Sequence, residues 1–139
     1  MPEGGQLGVI LALHAAFRRR DLDALADLID PEVDWHASNA LPFGGPLHGT
    51  DAVRGYLTDL WAFFDNVDLG TPELHHAGAS VMATGVQTVS TQNGETHELQ
   101  YSQLFTLENA LVVRYRERND AGEVVRAVTD EMAVEAQAD

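Results

Sequence analysis

The fold of this chain is most constrained by residues 94–118, where two β-like runs follow each other with only a short turn between them. From Leu99 to Leu107, apolar and polar side chains alternate, which is the period-2 pattern of a strand with one buried face. Gln103 interrupts the apolar series, so its amide is predicted to point at the apolar side. After a turn at residues 108–110 the second run begins, and we expect the two runs to form a β-hairpin.

The second run places an acid among apolar side chains. Alternation predicts Val113, Tyr115 and Glu117 on one face and Arg114 and Arg116 on the other. An unpaired carboxylate is costly to bury. Either this end of the sheet is open to water, with Glu117 paired with Arg118 or with a partner chain at the rim, or the face lines a cavity that holds something polar.

Composition excludes several function classes. The 139 residues, 45% of them hydrophobic, are enough for one domain with one core. No cysteine is present and all eight basic residues are arginine, which excludes thiolate nucleophiles, sulfur-ligated metals and lysine Schiff bases. The formal net charge of −14 argues against nucleic acid and anionic membranes as partners.

The cellular location is predicted from what the sequence lacks. No apolar run reaches the length of a membrane-spanning helix, and the start MPEGGQLG lacks the features of a secretory signal. We therefore expect a cytoplasmic protein with no membrane contact.

The rest of the chain is predicted to cover the hairpin. Helical spacing of apolar residues predicts three helices, in residues 6–20, 22–29 and 50–64. Alternation predicts three further strands, in residues 32–37, 67–76 and 81–91. The loop at 38–49 carries two prolines and three glycines, so it is predicted to lack regular structure and is a candidate lid over a cavity.

Smaller features add expectations. Ala83 and Gly85 make the middle of one strand small, which could leave room for a ligand above the sheet. His14 lies on the apolar stripe of the first helix, either serving a site or forming a hydrogen bond at the edge of the core. Residues 130–139 are predicted to be a frayed acidic tail.

Three segments carry a resemblance to a known family: RRDLDALADLIDPEVDWHA, PFGGPLHGTDAVRGYL and LFTLENALVVRYRERND. Together with the order of elements, they resemble the SnoaL-like branch of the nuclear-transport-factor-2-like superfamily. The resemblance implies one α+β domain over residues 1–139, in which a cone-shaped, curved mixed sheet wraps a pocket closed by three helices. It also implies a homodimer. The superfamily includes polyketide cyclases, ketosteroid isomerases, epoxide hydrolases and proteins that only bind ligands.

The resemblance restricts the chemistry when it is carried over residue by residue. In the ketosteroid isomerase pattern, the general base falls on Ala37, the tyrosine donor on or near Leu13 and the aspartate donor on Gln103. These three changes make that mechanism improbable. SnoaL-like cyclases resemble this chain more closely, because they rely on one acid on the last strand with a polar neighbour, which here are Glu117 and Gln103.

Two other residues are candidates for catalysis. Asp34 and His36 share one face of the first strand, and a bulge that turned His36 inward would make them a histidine–carboxylate pair. A limonene-type epoxide hydrolase would use Asp34, Arg114 and Glu117, but strand parity separates Arg114 from Glu117. His75, His76 and His97 lack the spacing of a metal site, so no metal and no cofactor are predicted.

The leading hypothesis is a cofactor-independent cyclase or isomerase for a hydrophobic, oxygenated small molecule, with Glu117 as acid/base and Gln103 donating to an oxyanion. One alternative is epoxide hydrolysis or epoxide-opening cyclisation, with Asp34 or His36 activating the nucleophile. The other is a non-catalytic, dimeric ligand-binding protein. Six aromatic side chains are candidate ligand contacts: Trp35, Tyr56, Trp61, Tyr101, Phe105 and Tyr115.

Overall fold

The predicted hairpin lies at the centre of a single mixed sheet in the computed structural model, which describes residues 3–38 and 41–119. The helices of this part are α1 (Glu3–Arg19), α2 (Leu22–Ala26) and α3 (Thr50–Phe63). The strands are β1 (Ile29–Ala37), β2 (Gly45–His48), β3 (Asn66–Asp68), β4 (Glu73–Ala77), β5 (Ser80–Ser90), β6 (Thr96–Glu108) and β7 (Leu111–Asn119).

The sheet has the order β2-β1-β7-β6-β5-β3, and β4 also pairs with β5. Only the β1–β7 pair is parallel among these pairings; the others are antiparallel. The sheet curls into a half-barrel and the three helices lie against its inner face, so the predicted α+β cone is confirmed. The predicted tail at 130–139 lies outside the described residues.

The hairpin follows the predicted alternation on β6 and departs from it on β7. Thr106 lies opposite Arg114, but Leu107 lies opposite Val112, so Val113 is an extra residue in a β-bulge. Val112 is therefore fully buried and the prediction that Val113 faces inward was wrong. Beyond the bulge the predicted phase returns.

The second helix and one predicted strand differ from the prediction. The second helix ends at Ala26 rather than at residue 29, because Ile29 already pairs with β7. Its predicted cap is confirmed, since Asp21 Oδ1 accepts a hydrogen bond from the Ala24 N–H at 3.1 Å. The strand predicted at 67–76 is two strands, separated at Gly70, whose φ of 63° is in the left-handed region.

The loop at 38–49 was predicted to lack regular structure, and this was wrong in its second half. Residues 45–48 form β2, which pairs antiparallel with β1. Pro46 is tolerated because β2 is an edge strand, where a residue without an N–H costs no internal hydrogen bond.

The space expected above Gly85 is filled. Gly85 lies directly opposite Tyr101 on β6, and a Cβ at Gly85 would be 2.9 Å from the Tyr101 hydroxyl oxygen. The Tyr101 ring thus lies over the glycine, and its hydroxyl donates to the Leu69 carbonyl at 2.8 Å. The small residue makes room for a neighbouring ring and not for a ligand.

No helix in the described part of the chain is long and apolar enough to span a membrane.

Candidate active site

A narrow pocket lies between the inner face of the sheet and the three helices. The space free of atoms inside it, counting its opening, is about 680 Å³. The centre of a water molecule can reach about 60 Å³ of that space. Most of its lining is apolar. The exceptions are seven side chains that carry a polar group: Trp35, Tyr56, Gln87, Gln103, Tyr115, Glu117 and Asn119. A ligand bound here would contact mainly apolar side chains.

Glu117 brings a carboxyl group to this pocket. One of its oxygens lies 3.4 Å from the Tyr56 hydroxyl, which donates to it, and the other lies 3.4 Å from the Asn119 amide nitrogen. The Ser38 backbone also contributes a hydrogen bond. Part of the residue stays accessible at the opening, while the carboxyl group itself lies among protein atoms.

The surroundings of Glu117 change its acidity. Burial raises the pKa of this carboxyl to about 7, and the hydrogen bonds from Ser38, Tyr56 and Asn119 oppose the rise only in part. Within residues 3–38 and 41–119 no arginine forms an ion pair with it, so pairing with Arg118 at the rim is not observed. A carboxyl group with a pKa near 7 exchanges protons readily at neutral pH.

Gln103 lies directly opposite Glu117 on the neighbouring strand. Its side chain is buried, with its carbonyl oxygen 2.8 Å from His14 Nε2 and its amide nitrogen 3.0 Å from the Tyr115 hydroxyl. His14 is the hydrogen-bonded histidine that the sequence offered as one alternative. Burial is the main cause that lowers the pKa of His14, so the ring is neutral at pH 7.

Three of the six candidate aromatic contacts line the pocket. Trp35 and Tyr115 stack with ring centroids 3.9 Å apart, and Tyr56 faces them from α3. The other three pack elsewhere. Trp61 contacts Phe17 and Arg20, Tyr101 covers Gly85, and Phe105 is fully buried beneath Tyr115.

Comparison with known proteins decides the family. The SnoaL-like domain family matches residues 10–115. The chain belongs to the SnoaL-like family. No curated protein matches its sequence.

Solved structures share the fold of this SnoaL-like domain. An NTF2-like protein of unknown function from Burkholderia pseudomallei is 24% identical, with a TM-score of 0.83 over 90% of this chain and 98% of that one. TerC, co-crystallised with polyporic acid, is 22% identical, with a TM-score of 0.81 over 90% and 98%. A candidate polyketide cyclase from Xanthomonas campestris pv. campestris is 19% identical, with a TM-score of 0.80 over 90% and 97%.

Neither Asp34 nor His36 lines this pocket of the SnoaL-like domain. Asp34 is exposed and forms an ion pair with Arg116 at 2.9 Å, while His36 Nε2 lies 3.7 Å from the other Asp34 oxygen. The Arg116 guanidinium lowers the pKa of Asp34 by hydrogen bonding to its charged form. The register of β1 does shift, but between Ile29 and Asp34, so the shift does not turn His36 into the pocket.

The sequence did not single out Asn119 or the role of Tyr56 beside the acid. Asn119 was recoverable, because it follows Glu117 by two residues and so shares its face of β7. Tyr56 was named only as an aromatic contact. Its approach to Glu117 depends on how α3 crosses the sheet, and no local pattern encodes that.

Proposed function

We propose that this SnoaL-like domain is a cofactor-independent enzyme that isomerises or cyclises a hydrophobic, oxygenated small molecule by general acid/base catalysis. The observation that carries the proposal is the Glu117 carboxyl group, which borders an apolar pocket and has a pKa of about 7. At neutral pH this group is present in both its charged and its neutral form, so it can take up a proton and later return it.

The shared chemical step is enolisation of a carbonyl compound. The Glu117 carboxylate removes a proton from the carbon beside the carbonyl group, the electrons of that C–H bond form a C=C bond, and the negative charge moves to the carbonyl oxygen. Return of the proton to a different carbon completes an isomerisation. Attack of the enolate carbon on a second carbonyl group, which then takes the proton from Glu117, completes a cyclisation.

The substrate class follows from the shape of the pocket. The stacked rings of Trp35 and Tyr115 on one side and apolar helix side chains on the other favour a flat, ring-containing ketone. Two of the similar structures support this choice. One is TerC, which was co-crystallised with polyporic acid, and the other is a candidate polyketide cyclase. We therefore favour aromatic or polycyclic ketones.

The proposal is tested without knowing the natural substrate. β-Tetralone is a flat bicyclic ketone with exchangeable C–H groups, and its uptake of deuterium from heavy water, followed by proton NMR, reports enolisation alone. We expect the protein to accelerate this exchange and Glu117→Gln to reduce the acceleration by about 100-fold or more. Glu98→Gln, which changes an exposed acid of β6, is the matched control and should retain the full rate.

The same experiment separates catalysis from binding. β-Tetralone should still raise the melting temperature of the Glu117→Gln variant, because the apolar pocket that binds it is unchanged. Exchange that proceeds equally well in Glu117→Gln would overturn the proposal. Ligand stabilisation without any exchange in the unmodified protein would identify a binding protein instead.

We also propose that the domain forms a homodimer through the outer face of its sheet. Met82 and Leu104 are direct cross-strand partners on this face, and Val86 lies on the same side; all three are exposed. A second copy would cover them. Sedimentation should give twice the monomer mass for the unmodified chain and a monomer for Leu104→Glu, while a monomer in both would contradict this.

A further inference from the structure

We propose that Tyr115 is the catalytic hydrogen-bond donor to the substrate's carbonyl oxygen, and that Gln103 and His14 are positioning residues that orient its hydroxyl group. This rests on the proposed function of Glu117 as the base. It replaces the expectation, drawn from the sequence, that Gln103 itself donates to the oxyanion.

The three side chains form one chain of hydrogen bonds that leads from α1 into the pocket. His14 Nε2 and Gln103 Oε1 are 2.8 Å apart, and Gln103 Nε2 and the Tyr115 oxygen are 3.0 Å apart. His14 and Tyr115 lie on different elements, and buried Gln103 connects them. Each member therefore restricts the orientation of the next.

The other ring nitrogen of His14 determines which group donates in each of these hydrogen bonds. Nδ1 is buried and has no hydrogen-bond partner among the described residues. A buried N–H without a partner costs more than a buried bare acceptor, so the proton of the neutral ring lies on Nε2. His14 thus donates to the Gln103 oxygen, which leaves the Gln103 amide N–H to donate to Tyr115.

The hydroxyl of Tyr115 is consequently left with a proton to donate. Its oxygen already accepts from Gln103, and no acceptor for its own proton is found in residues 3–38 and 41–119. Tyr115 lines the pocket, and its ring is held between Trp35 at 3.9 Å and Phe105 at 5.0 Å, so the position of its hydroxyl group is fixed. Burial and the charge of Glu117 raise the pKa of Tyr115 well above its ordinary value, so the group stays a donor at neutral pH.

Tyr115 and Glu117 stand side by side for the reaction. They are two residues apart on one face of β7, a spacing of roughly 7 Å along the backbone. This allows a C–H group to meet the carboxylate while the adjacent carbonyl oxygen meets the hydroxyl. When the C–H bond breaks, the proton passes to Glu117 and the charge reaches the oxygen, where the Tyr115 hydrogen bond strengthens while tyrosine keeps its own proton.

A stable anion that resembles the enolate tests the donor apart from turnover. The probe is p-nitrophenol, a flat molecule whose visible absorption band reports its ionised form, titrated into the Glu117→Gln variant, where no carboxylate repels the anion. We expect Tyr115→Phe in this background to weaken binding of the phenolate by about 10- to 100-fold, since a hydrogen bond to a charged group is lost. Binding of nitrobenzene, which lacks the oxygen, should change by less than about twofold.

The matched control is Tyr101→Phe in the same background. Tyr101 is also buried on the inner face of the sheet, but its hydroxyl donates to the Leu69 carbonyl and does not border the pocket. Its removal should leave phenolate binding unchanged. Equal phenolate affinity in the Tyr115→Phe variant would overturn the proposal.

The positioning residues are tested by loss and rescue. Gln103→Leu should weaken phenolate binding by about 5- to 10-fold without affecting nitrobenzene, because the tyrosine hydroxyl loses its orientation. His14→Leu should act in the same direction, and His14→Gln, which restores an N–H donor, should recover part of the affinity. A purely structural role would weaken both probes alike. The two proposals can fail separately. If Glu117→Gln kept the full rate of deuterium exchange while Tyr115→Phe still weakened phenolate binding, Glu117 would be rejected as the base and Tyr115 would be retained as the donor.

Discussion

The Tyr56 hydroxyl lies 3.4 Å from a carboxylate oxygen of Glu117, and this contact joins helix α3 to the last strand of the sheet. The two residues are 61 positions apart in the sequence. Burial raises the pKa of the carboxyl group, and the contact with Tyr56 opposes part of this rise because it is a hydrogen bond to the charged form. Tyr56 is accordingly both part of the pocket lining and a regulator of the base.

Glu117 should make the stability of the fold fall as the pH rises. The folded protein holds the proton up to a pKa of about 7, whereas the unfolded chain releases it near 4.5. Between these values the folded state binds more protons, so the free energy of unfolding decreases with rising pH, by about 3 kcal/mol in total. Relative to the unmodified protein, Glu117→Gln should therefore gain about that much between about pH 4 and pH 8. Urea denaturation across this range measures the difference, and a gap that does not change with pH would contradict the raised pKa.

Removing the Tyr56 hydroxyl should shift the pH dependence of catalysis. The rate of deuterium exchange should rise with pH as Glu117 ionises, with a midpoint of about 7. In Tyr56→Phe the carboxylate loses a donor, so its pKa rises and the midpoint moves to higher pH by roughly half a unit to one unit. Tyr101→Phe serves as the control, since it should leave the midpoint in place. A shift to lower pH would show that the hydroxyl does not donate to the charged form.

Replacing Asp34 and His36 together should leave the rate of deuterium exchange nearly unchanged. Asp34→Asn combined with His36→Ala removes the contacts to Arg116 but no group that lines the narrow pocket. We expect exchange within about twofold of the unmodified rate and a loss of less than about 1 kcal/mol in stability, as for an exposed ion pair. A loss of exchange of more than tenfold would show that these two residues take part in the reaction, and would contradict their placement outside the site.

A methyl group at Gly85 should destabilise the sheet. In Gly85→Ala the new Cβ would lie 2.9 Å from the Tyr101 oxygen and 3.1 Å from its ring carbon, so the ring would have to move and strain its bond to Leu69. The expected loss is roughly 1–3 kcal/mol in urea denaturation. Gly55→Ala is the matched control, because that exposed helix position has open space and should gain about 0.5–1 kcal/mol. Equal stability of the two variants would show that the ring is not tightly packed there.

The sequence predicted the parts of the fold that depend on one strand at a time. Alternation was sufficient to bury Gln103 on β6, because side chains along a regular strand must alternate between faces. It failed at Val113, since a bulge depends on the pairing with the neighbouring strand and leaves no mark in the alternation. It also failed at Gly85, where the occupant of the space comes from the adjacent strand.

The sequence predicted the acid of the candidate site but not the residues that contact it. Glu117 could be singled out because a carboxylate on an apolar strand face is unusual. The contact with Tyr56 could not, since it is made between distant segments that only the packed fold brings together. The role of Gln103 also changed, because both ends of its amide are engaged, one by His14 and the other by Tyr115.

The bulge at Val113 sets which faces of the sheet are occupied by the side chains of the two segments of β7 that it joins. The segment before it, which contains Val112, fills the interior beneath the helices, whereas the segment after it carries Tyr115 and Glu117. If Val113 paired as an ordinary strand residue, strict alternation from Val112 would turn Tyr115 and Glu117 to the outer face of the sheet, while the interior before the bulge stayed filled. A single irregular pairing therefore determines which face of the sheet carries the acid, and a chain with the same architecture but a regular last strand would present that position to the outside.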